Sequence, residues 1–227
     1  MKSEFKPLFA VPLGIYKFDQ DEEMPKLFSK LTEDILNSPI ENYTNLAKRN
    51  DVTTDHSALQ IKIKTSPNAP EHQWDNEWWK NGNASTLLSG LLEVLDIFKD
   101  ETFSNLGLSK DPPVRTFVKD FWMVRLQKNH YNGIHVHPGS TFSGIYYQSV
   151  PDSIKKSKTS EGTLMLMDTT HKQMFDSSYG AAQSYSIKPH ERMLVMFPSW
   201  LSHYVTPFKS GGDRISFAFN IIDDQNY

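Results

Sequence analysis

Two stretches decide the fold: NHYNGIHVHPGSTFSGIYYQS at residues 129–149 and FPSWLSHYVTPFKSGGDRISFAFNII at residues 197–222. The first contains His135 and His137. Side chains two residues apart point to the same face of an extended chain, so both imidazoles can reach one metal ion. The pair alone is equally typical of a polar turn before a strand. The second stretch supplies a third imidazole, His203, between two β-prone runs. Together the three histidines predict a metal site.

Arg214 opens the β-prone run that ends the second stretch. Alternation along a strand places Arg214 and Ser216 on one face and the apolar residues Ile215, Phe217 and Phe219 on the other. An arginine on such a face can project into a cavity without disturbing the core. Its planar guanidinium suits bidentate capture of a carboxylate, and the Ser216 hydroxyl can donate a further hydrogen bond.

Short β-prone runs separated by turn residues fill the second half of the chain, which is the pattern of a sandwich or barrel. They lie at 114–124, 141–149, 162–168, 184–187, 192–197 and 214–222. We therefore expect a mainly β fold with helices in the N-terminal half. We expect one domain over 1–227, with a helical and strand support region at about 1–113 and the sheet core at about 114–227.

The N-terminal half shows weaker patterns. Apolar residues alternate from Phe9 to Ile15, which predicts a strand that joins the main sheet. Three- and four-residue spacing predicts a helix over 24–37, and a short strand is expected near Leu59, Ile61 and Ile63. A second helix should follow an N-cap at Ser85 or Thr86.

Composition excludes several classes of protein. The 227 residues carry 24 Lys and Arg against 27 Asp and Glu, which disfavours a nucleic-acid binder. There is no cysteine, so any metal must be held by His, carboxylate or water. No run of about 18 apolar residues predicts a membrane span, and MKSEFKPLF lacks the apolar stretch of a signal peptide. We expect a soluble, cytoplasmic protein.

The order of these motifs resembles the iron(II)- and 2-oxoglutarate-dependent dioxygenases of the prolyl-hydroxylase-like group. HVHPGSTFSGIYYQSVP and FPSWLSHYVTPFKSGGDRISFAFNI are similar to a bacterial and phage subgroup of these oxygenases, over about half of the chain. The resemblance implies a cupin-like double-stranded β-helix, or jelly roll. It implies that His135 and His203 hold Fe(II). His137 stands where the family has Asp or Glu, so it either completes a three-histidine set or leaves that position to water or another anion.

The resemblance also implies 2-oxoglutarate as cosubstrate and O2 as the second reactant. The family's carboxylate-binding arginine matches Arg214, with Ser216 as its partner. A strand tyrosine often assists, and Tyr147 is preferred to Tyr146. Trp200, Phe142 and Phe197 are candidates for an apolar wall beside the iron, or are ordinary core aromatics.

Two other functions remain open from the sequence. A three-histidine cupin-type dioxygenase would need no 2-oxoglutarate, and Arg214 would then anchor a substrate carboxylate. A non-enzymatic jelly-roll module would use the metal only to tie its strands together. The tryptophan-rich segment around Trp74, Trp78 and Trp79 could support a homodimer.

Overall fold

The computed structural model describes residues 10–38, 59–63, 65, 82–107, 115–168, 184–209 and 211–224. These residues form ten strands and three helices. In chain order the elements are β1 (Gly14–Lys17), α1 (Glu23–Asn37), β2 (Leu59–Ile63), α2 (Asn83–Leu106), β3 (Arg115–Leu126), β4 (Asn132–His135), β5 (Phe142–Ser149), α3 (Asp152–Lys156), β6 (Leu164–Met167), β7 (Ser184–Ile187), β8 (Met193–Pro198), β9 (His203–Val205) and β10 (Arg214–Asp224).

The strands form two antiparallel sheets. The larger sheet has the order β1-β8-β5-β10-β3-β2, and the smaller has the order β4-β9-β6-β7. From β3 to β10 the chain crosses between the two sheets at every step except from β6 to β7, which pair within the smaller sheet, and this is the winding of a jelly roll. The prediction of a mainly β fold, a double-stranded β-helix with N-terminal α-helices, is confirmed.

The larger sheet is apolar on both faces. One face packs against α1 and α2, where Phe28 of α1 stacks on Tyr146 of β5 with ring centroids 3.8 Å apart. The other face packs against the smaller sheet, where Phe197 and Tyr147 meet Leu166 and Val205. Because side chains alternate along each strand, neighbouring residues of β5 and β10 belong to different cores.

Helix α1 is confirmed at the predicted place, and it buries Met24, Phe28, Leu31 and Ile35 on its apolar face. Helix α2 begins before the predicted cap. The hydroxyls of Ser85 and Thr86 donate to the carbonyl oxygen of Gly82 instead of capping the helix. None of the described helices combines the length and apolar character that a membrane span requires.

The prediction for the first strand is partly wrong. Strand β1 joins the larger sheet through β8, as expected, but Ile15 is 41% exposed and Gly14 is buried. A Cβ atom at Gly14 would lie within 2.8 Å of Tyr16 and Phe98, so this position has no room for a side chain. Phe9 and the Trp74, Trp78 and Trp79 segment lie outside the described residues.

A buried ion pair joins helix α2 to the last strand. Lys99 Nζ lies 2.7 Å from Asp223 Oδ2, and the two side chains are 1% and 5% exposed. The Thr116 hydroxyl donates to the other oxygen of Asp223 at 2.8 Å. Removing one partner would leave a buried charge without compensation, whereas exposed ion pairs contribute little.

We expect Lys99→Met to lower the free energy of unfolding by about 3 kcal/mol, because it leaves the Asp223 carboxylate buried without its counter-charge. Lys26→Met is the matched control, since the Lys26–Glu22 pair is exposed and should contribute less than about 0.5 kcal/mol. Urea denaturation followed by circular dichroism measures both. Equal losses in the two variants would contradict the assignment.

Candidate functional site

Two of the predicted histidines face each other across the edge of the smaller sheet. His135 of β4 pairs with His203 of β9, and their ring centroids are 4.2 Å apart. His203 also lies opposite Leu166 of β6, so it is held on both sides and is only 2% exposed. A register shift within β4 brings His135 into this pairing.

Backbone carbonyls orient both rings. His135 Nδ1 lies 2.7 Å from the Gly133 oxygen, and His203 Nδ1 lies 2.8 Å from the Leu201 oxygen. A carbonyl oxygen only accepts, so each Nδ1 carries the proton and each Nε2 keeps a lone pair. Metal-binding histidines are commonly oriented in this way.

His137 completes the group from the loop after β4. Its backbone N–H donates to the Ser199 oxygen at 2.9 Å, which ties the loop to the segment before β9. His137 Nε2 lies 3.2 Å from His203 Nε2, and one nitrogen of each of the three rings lies within 4.8 Å of the others. Two ligands at right angles, each about 2.1 Å from a metal, would be about 3.0 Å apart. The three imidazoles therefore fit one first-row transition metal ion.

The surroundings favour the neutral form of His135 and pack against the other two rings. Burial lowers the pKa of His135, and its contact with the Gly133 oxygen only partly opposes this effect. Phe197 packs edge-on against His203 at 4.9 Å, and the Trp122 ring lies 5.5 Å from His137. Neutral imidazole is the form that binds metal.

Arg214 lies on the inner face of β10 and is 1% exposed. Its guanidinium carbon is 5.0 Å from the centre of the Tyr147 ring, and Nη1 is 3.4 Å from the Ser216 hydroxyl. Tyr146 points the other way, into the core beneath the helices. Burial lowers the pKa of Arg214 and raises that of Tyr147. Among the described residues, Arg214 Nε, Arg214 Nη2 and the Tyr147 hydroxyl make no hydrogen bond of normal geometry, although the Arg214 and Tyr147 side chains attract each other.

One cavity between the two sheets joins these groups. Its lining includes the three histidines together with Arg214 and Ser216. Sequence reasoning missed six further lining residues: Gln60, Trp122, Val124, Asn132, Ile145 and Val205. Trp122 and Gln60 could have been found from strand alternation, but only with the pairing of β2, β3 and β10 in hand.

The three aromatic candidates for an apolar wall lie in different parts of the structure. Phe197 contacts His203, whereas Phe142 packs edge-on against Phe98 on the helix side of the sheet, and Trp200 is 53% exposed. Phe142 is therefore an ordinary core aromatic, which is one of the two alternatives left open from the sequence, since its ring lies on the far face of the larger sheet.

Asp168 and the other described histidines are not among the residues that line the cavity. Asp168 and His190 are exposed, and His130 is half-buried near the start of β4. His56, His72 and His171 lie outside the described residues.

Comparison with known proteins finds one matching family model and several similar solved structures. Residues 120–220 match the family model described as "Putative 2OG-Fe(II) oxygenase". The fold resembles a prolyl hydroxylase from Trichoplax adhaerens in complex with a hypoxia inducible factor peptide fragment, at 13% identity and a TM-score of 0.58 over 93% of this chain and 84% of that chain. It also resembles a Pseudomonas putida prolyl-4-hydroxylase, at 13% identity and a TM-score of 0.55 over 95% and 94%.

A third similar structure is HygX from Streptomyces hygroscopicus with nickel and 2-oxoglutarate bound, at 10% identity and a TM-score of 0.52 over 96% of this chain and 84% of that chain. These structural likenesses concern the fold. No curated protein matches the sequence.

We expect Arg214→Met to raise the free energy of unfolding of the ligand-free protein by about 1–3 kcal/mol, because the change removes buried polar atoms that lack partners. Arg125→Met is the control. Arg125 Nη2 lies 2.6 Å from Asp213 Oδ2, so its loss should not stabilise the protein. Urea denaturation without metal or organic acids measures both. A large loss of stability in Arg214→Met would show that the guanidinium is satisfied in the ligand-free protein.

Proposed function

We propose that this chain, whose residues 120–220 match a 2OG-Fe(II) oxygenase model, is an oxygenase dependent on iron(II) and 2-oxoglutarate. Its iron is held by His135, His137 and His203. We propose further that Arg214 binds the distal carboxylate of 2-oxoglutarate, with Ser216 and Tyr147 beside it. The observation that carries the assignment is that three converging imidazoles and one buried, incompletely paired guanidinium line the same cavity.

The unpaired atoms of this cavity match the cosubstrate. A carboxylate has two acceptor oxygens, and Arg214 offers two unpartnered N–H groups, at Nε and Nη2, in its planar fork. The hydroxyls of Ser216 and Tyr147 can donate to the same carboxylate. A dicarboxylic 2-oxo acid would therefore neutralise a buried charge that is otherwise costly.

The metal would be held by nitrogen alone. Imidazole suits iron, nickel, copper and zinc, whereas carboxylate and water suit magnesium and manganese. With iron(II), 2-oxoglutarate and O2 bound, the site supplies oxidative decarboxylation to succinate and CO2 coupled to oxygenation of a substrate. The protein's own part is to orient the three rings through the Gly133 and Leu201 carbonyls and to bind the cosubstrate.

Apolar side chains limit water at the site. Val124 and Ile145 of the larger sheet and Val205 of the smaller sheet line the cavity between the histidines and Arg214. Excluding water strengthens the electrostatic attraction between Arg214 and a bound carboxylate. It also protects a reactive oxidising centre from side reactions.

The remaining expectations from the sequence stay predictions. We propose a single domain over 1–227, because the N-terminal strands β1 and β2 are the two edges of the larger sheet. We propose that the enzyme works in the cytoplasm on a substrate other than a long nucleic acid, and that the tryptophan-rich segment supports a homodimer.

We expect His203→Ala or His135→Ala to weaken Ni²⁺ binding by at least about 100-fold, because each removes an imidazole that a backbone carbonyl orients. Isothermal titration calorimetry measures the dissociation constant. His190→Ala, at an exposed position, is the control and should bind as the parent does. His137→Asp should keep Ni²⁺ binding and gain affinity for Mn²⁺. Unchanged Ni²⁺ affinity in His137→Ala would show that His137 is not a ligand.

We expect Arg214→Met to raise the dissociation constant of 2-oxoglutarate by at least about 100-fold in the Ni²⁺-loaded protein, because it removes the partner of a buried carboxylate. The parent should also prefer 2-oxoglutarate to 2-oxobutyrate, which lacks the distal carboxylate, and the variant should lose this preference. Calorimetry measures both ligands.

Oxygen consumption distinguishes the proposed enzyme from a three-histidine dioxygenase that uses no cosubstrate. In the iron-loaded protein, O2 uptake should require 2-oxoglutarate and should be accompanied by succinate. Equal uptake with and without 2-oxoglutarate would contradict the proposal.

A further inference from the structure

The position of Arg214 is unfavourable for the protein without its ligand. The guanidinium is 1% exposed, and two of its nitrogens have no hydrogen-bond partner among the described residues. A buried charge without full compensation is drawn toward water. Because Arg214 is the first residue of β10, fraying of the strand end would let the side chain escape. Some interaction must therefore hold this strand end.

The backbone at Arg214 is supported mainly from one side, where Arg214 pairs with Leu126 of β3. On the β5 side the pairing begins at Ile215, and its register shifts between Ile215 and Ser216. The turn that precedes the strand contains Gly212, whose φ is 109°. A slip by one residue would point Arg214 into the opposite face of the sheet, because side chains alternate along a strand.

Asp213 is held by side chains from both neighbouring strands. Asp213 Oδ2 lies 2.6 Å from Arg125 Nη2 of β3, and Gln127 Nε2 donates to Asp213 Oδ1 at 3.0 Å. From β5, the Ser149 hydroxyl donates to the Asp213 backbone oxygen at 3.2 Å. We call these four residues the Asp213 clamp.

The charged pair of the clamp is partly shielded from water. Arg125 and Asp213 are 29% and 31% exposed, whereas Asp152 of α3, which pairs with Lys155 and Lys156, is 66% exposed. Burial tends to raise the pKa of Asp213, but hydrogen bonds from Arg125 and Gln127 more than offset it, so the pKa is lowered and the carboxylate stays ionised. Dissolved salt therefore screens the Arg125–Asp213 ion pair less than it screens an exposed ion pair.

We propose that Asp213 is a positioning residue for cosubstrate binding: it fixes the start of β10 so that the buried Arg214 guanidinium faces the cavity. This inference rests on the proposed role of Arg214. Asp213 is not among the residues that line the cavity, and its side chain contacts Arg125 and Gln127. Its effect should therefore be confined to ligands that need Arg214.

The test compares two ligands in the Ni²⁺-loaded, full-length protein by calorimetry. Asp213→Asn removes the charge of the clamp and should raise the dissociation constant of 2-oxoglutarate about tenfold, which is the usual scale for groups that orient a ligand-binding side chain. The dissociation constant of 2-oxobutyrate should not change. Asp152→Asn is the matched control and should leave both constants unchanged.

A second variant approaches the same pair from β3. Arg125→Gln should weaken 2-oxoglutarate binding as Asp213→Asn does, and the double variant should be no weaker than either single variant, since all three lack the same ion pair. Arg125→Gln also serves as the test if Asp213→Asn does not fold.

Each outcome has a distinct meaning. Unchanged 2-oxoglutarate binding in Asp213→Asn and Arg125→Gln would overturn the inference, and so would an equal loss for both ligands, because that would be general damage to the fold. If Arg214→Met itself leaves 2-oxoglutarate binding unchanged, the proposed cosubstrate site is wrong. If Arg214→Met weakens binding and the clamp variants do not, only the clamp is wrong.

Discussion

The two-residue alternation of strand β10 is the constraint on which the site depends. Ile215, Phe217 and Phe219 point into the core beneath the helices, and Arg214 and Ser216 point between the sheets. The helix side is tightly filled: a Cβ atom on Gly144 of β5 would lie 2.2 Å from Phe219. Because this packing fixes the register of β10, the apolar core that stabilises the protein also aims the polar residues at the cavity.

The side chains that line the cavity suit bound ligands, but they lower the stability of the ligand-free protein. Arg214 keeps unpaired buried donors, and the Nε2 atoms of His137 and His203 approach each other at 3.2 Å. The Arg214 donors are unfavourable without a bound anion, whereas the two imidazoles can share one hydrogen bond until a cation takes their lone pairs. Such local strain persists only where the surrounding structure is rigid. Here the two sheets, the buried cores and the Asp213 clamp supply that rigidity.

Most of the C-terminal fold could be predicted because its strands are short β-prone runs and the turns between them carry glycine, proline and asparagine. The histidines were visible because metal ligands need particular residue types. The Asp213 clamp and Gln60 were not visible, since their roles depend on which strands are neighbours. The exposure of Ile15 was missed for a similar reason, because the close approach of Phe98 to Gly14 is a tertiary contact. At Ser85 and Thr86, a local hydrogen bond to Gly82 replaced the expected cap.

The three-imidazole set changes the charge balance of the proposed site. With an acid at position 137, iron(II), the acid, the 2-oxoglutarate dianion and the Arg214 cation would sum to zero. With His137, the same assembly keeps one positive charge, and the described cavity lining contains no carboxylate to cancel it. The two negative charges of 2-oxoglutarate then equal the charge of iron(II). No carboxylate from the cavity lining competes with the cosubstrate for Arg214. In a water-poor cavity the remaining positive charge strengthens the electrostatic attraction between the site and the cosubstrate. This attraction compensates for the lower affinity of three neutral ligands for a divalent cation.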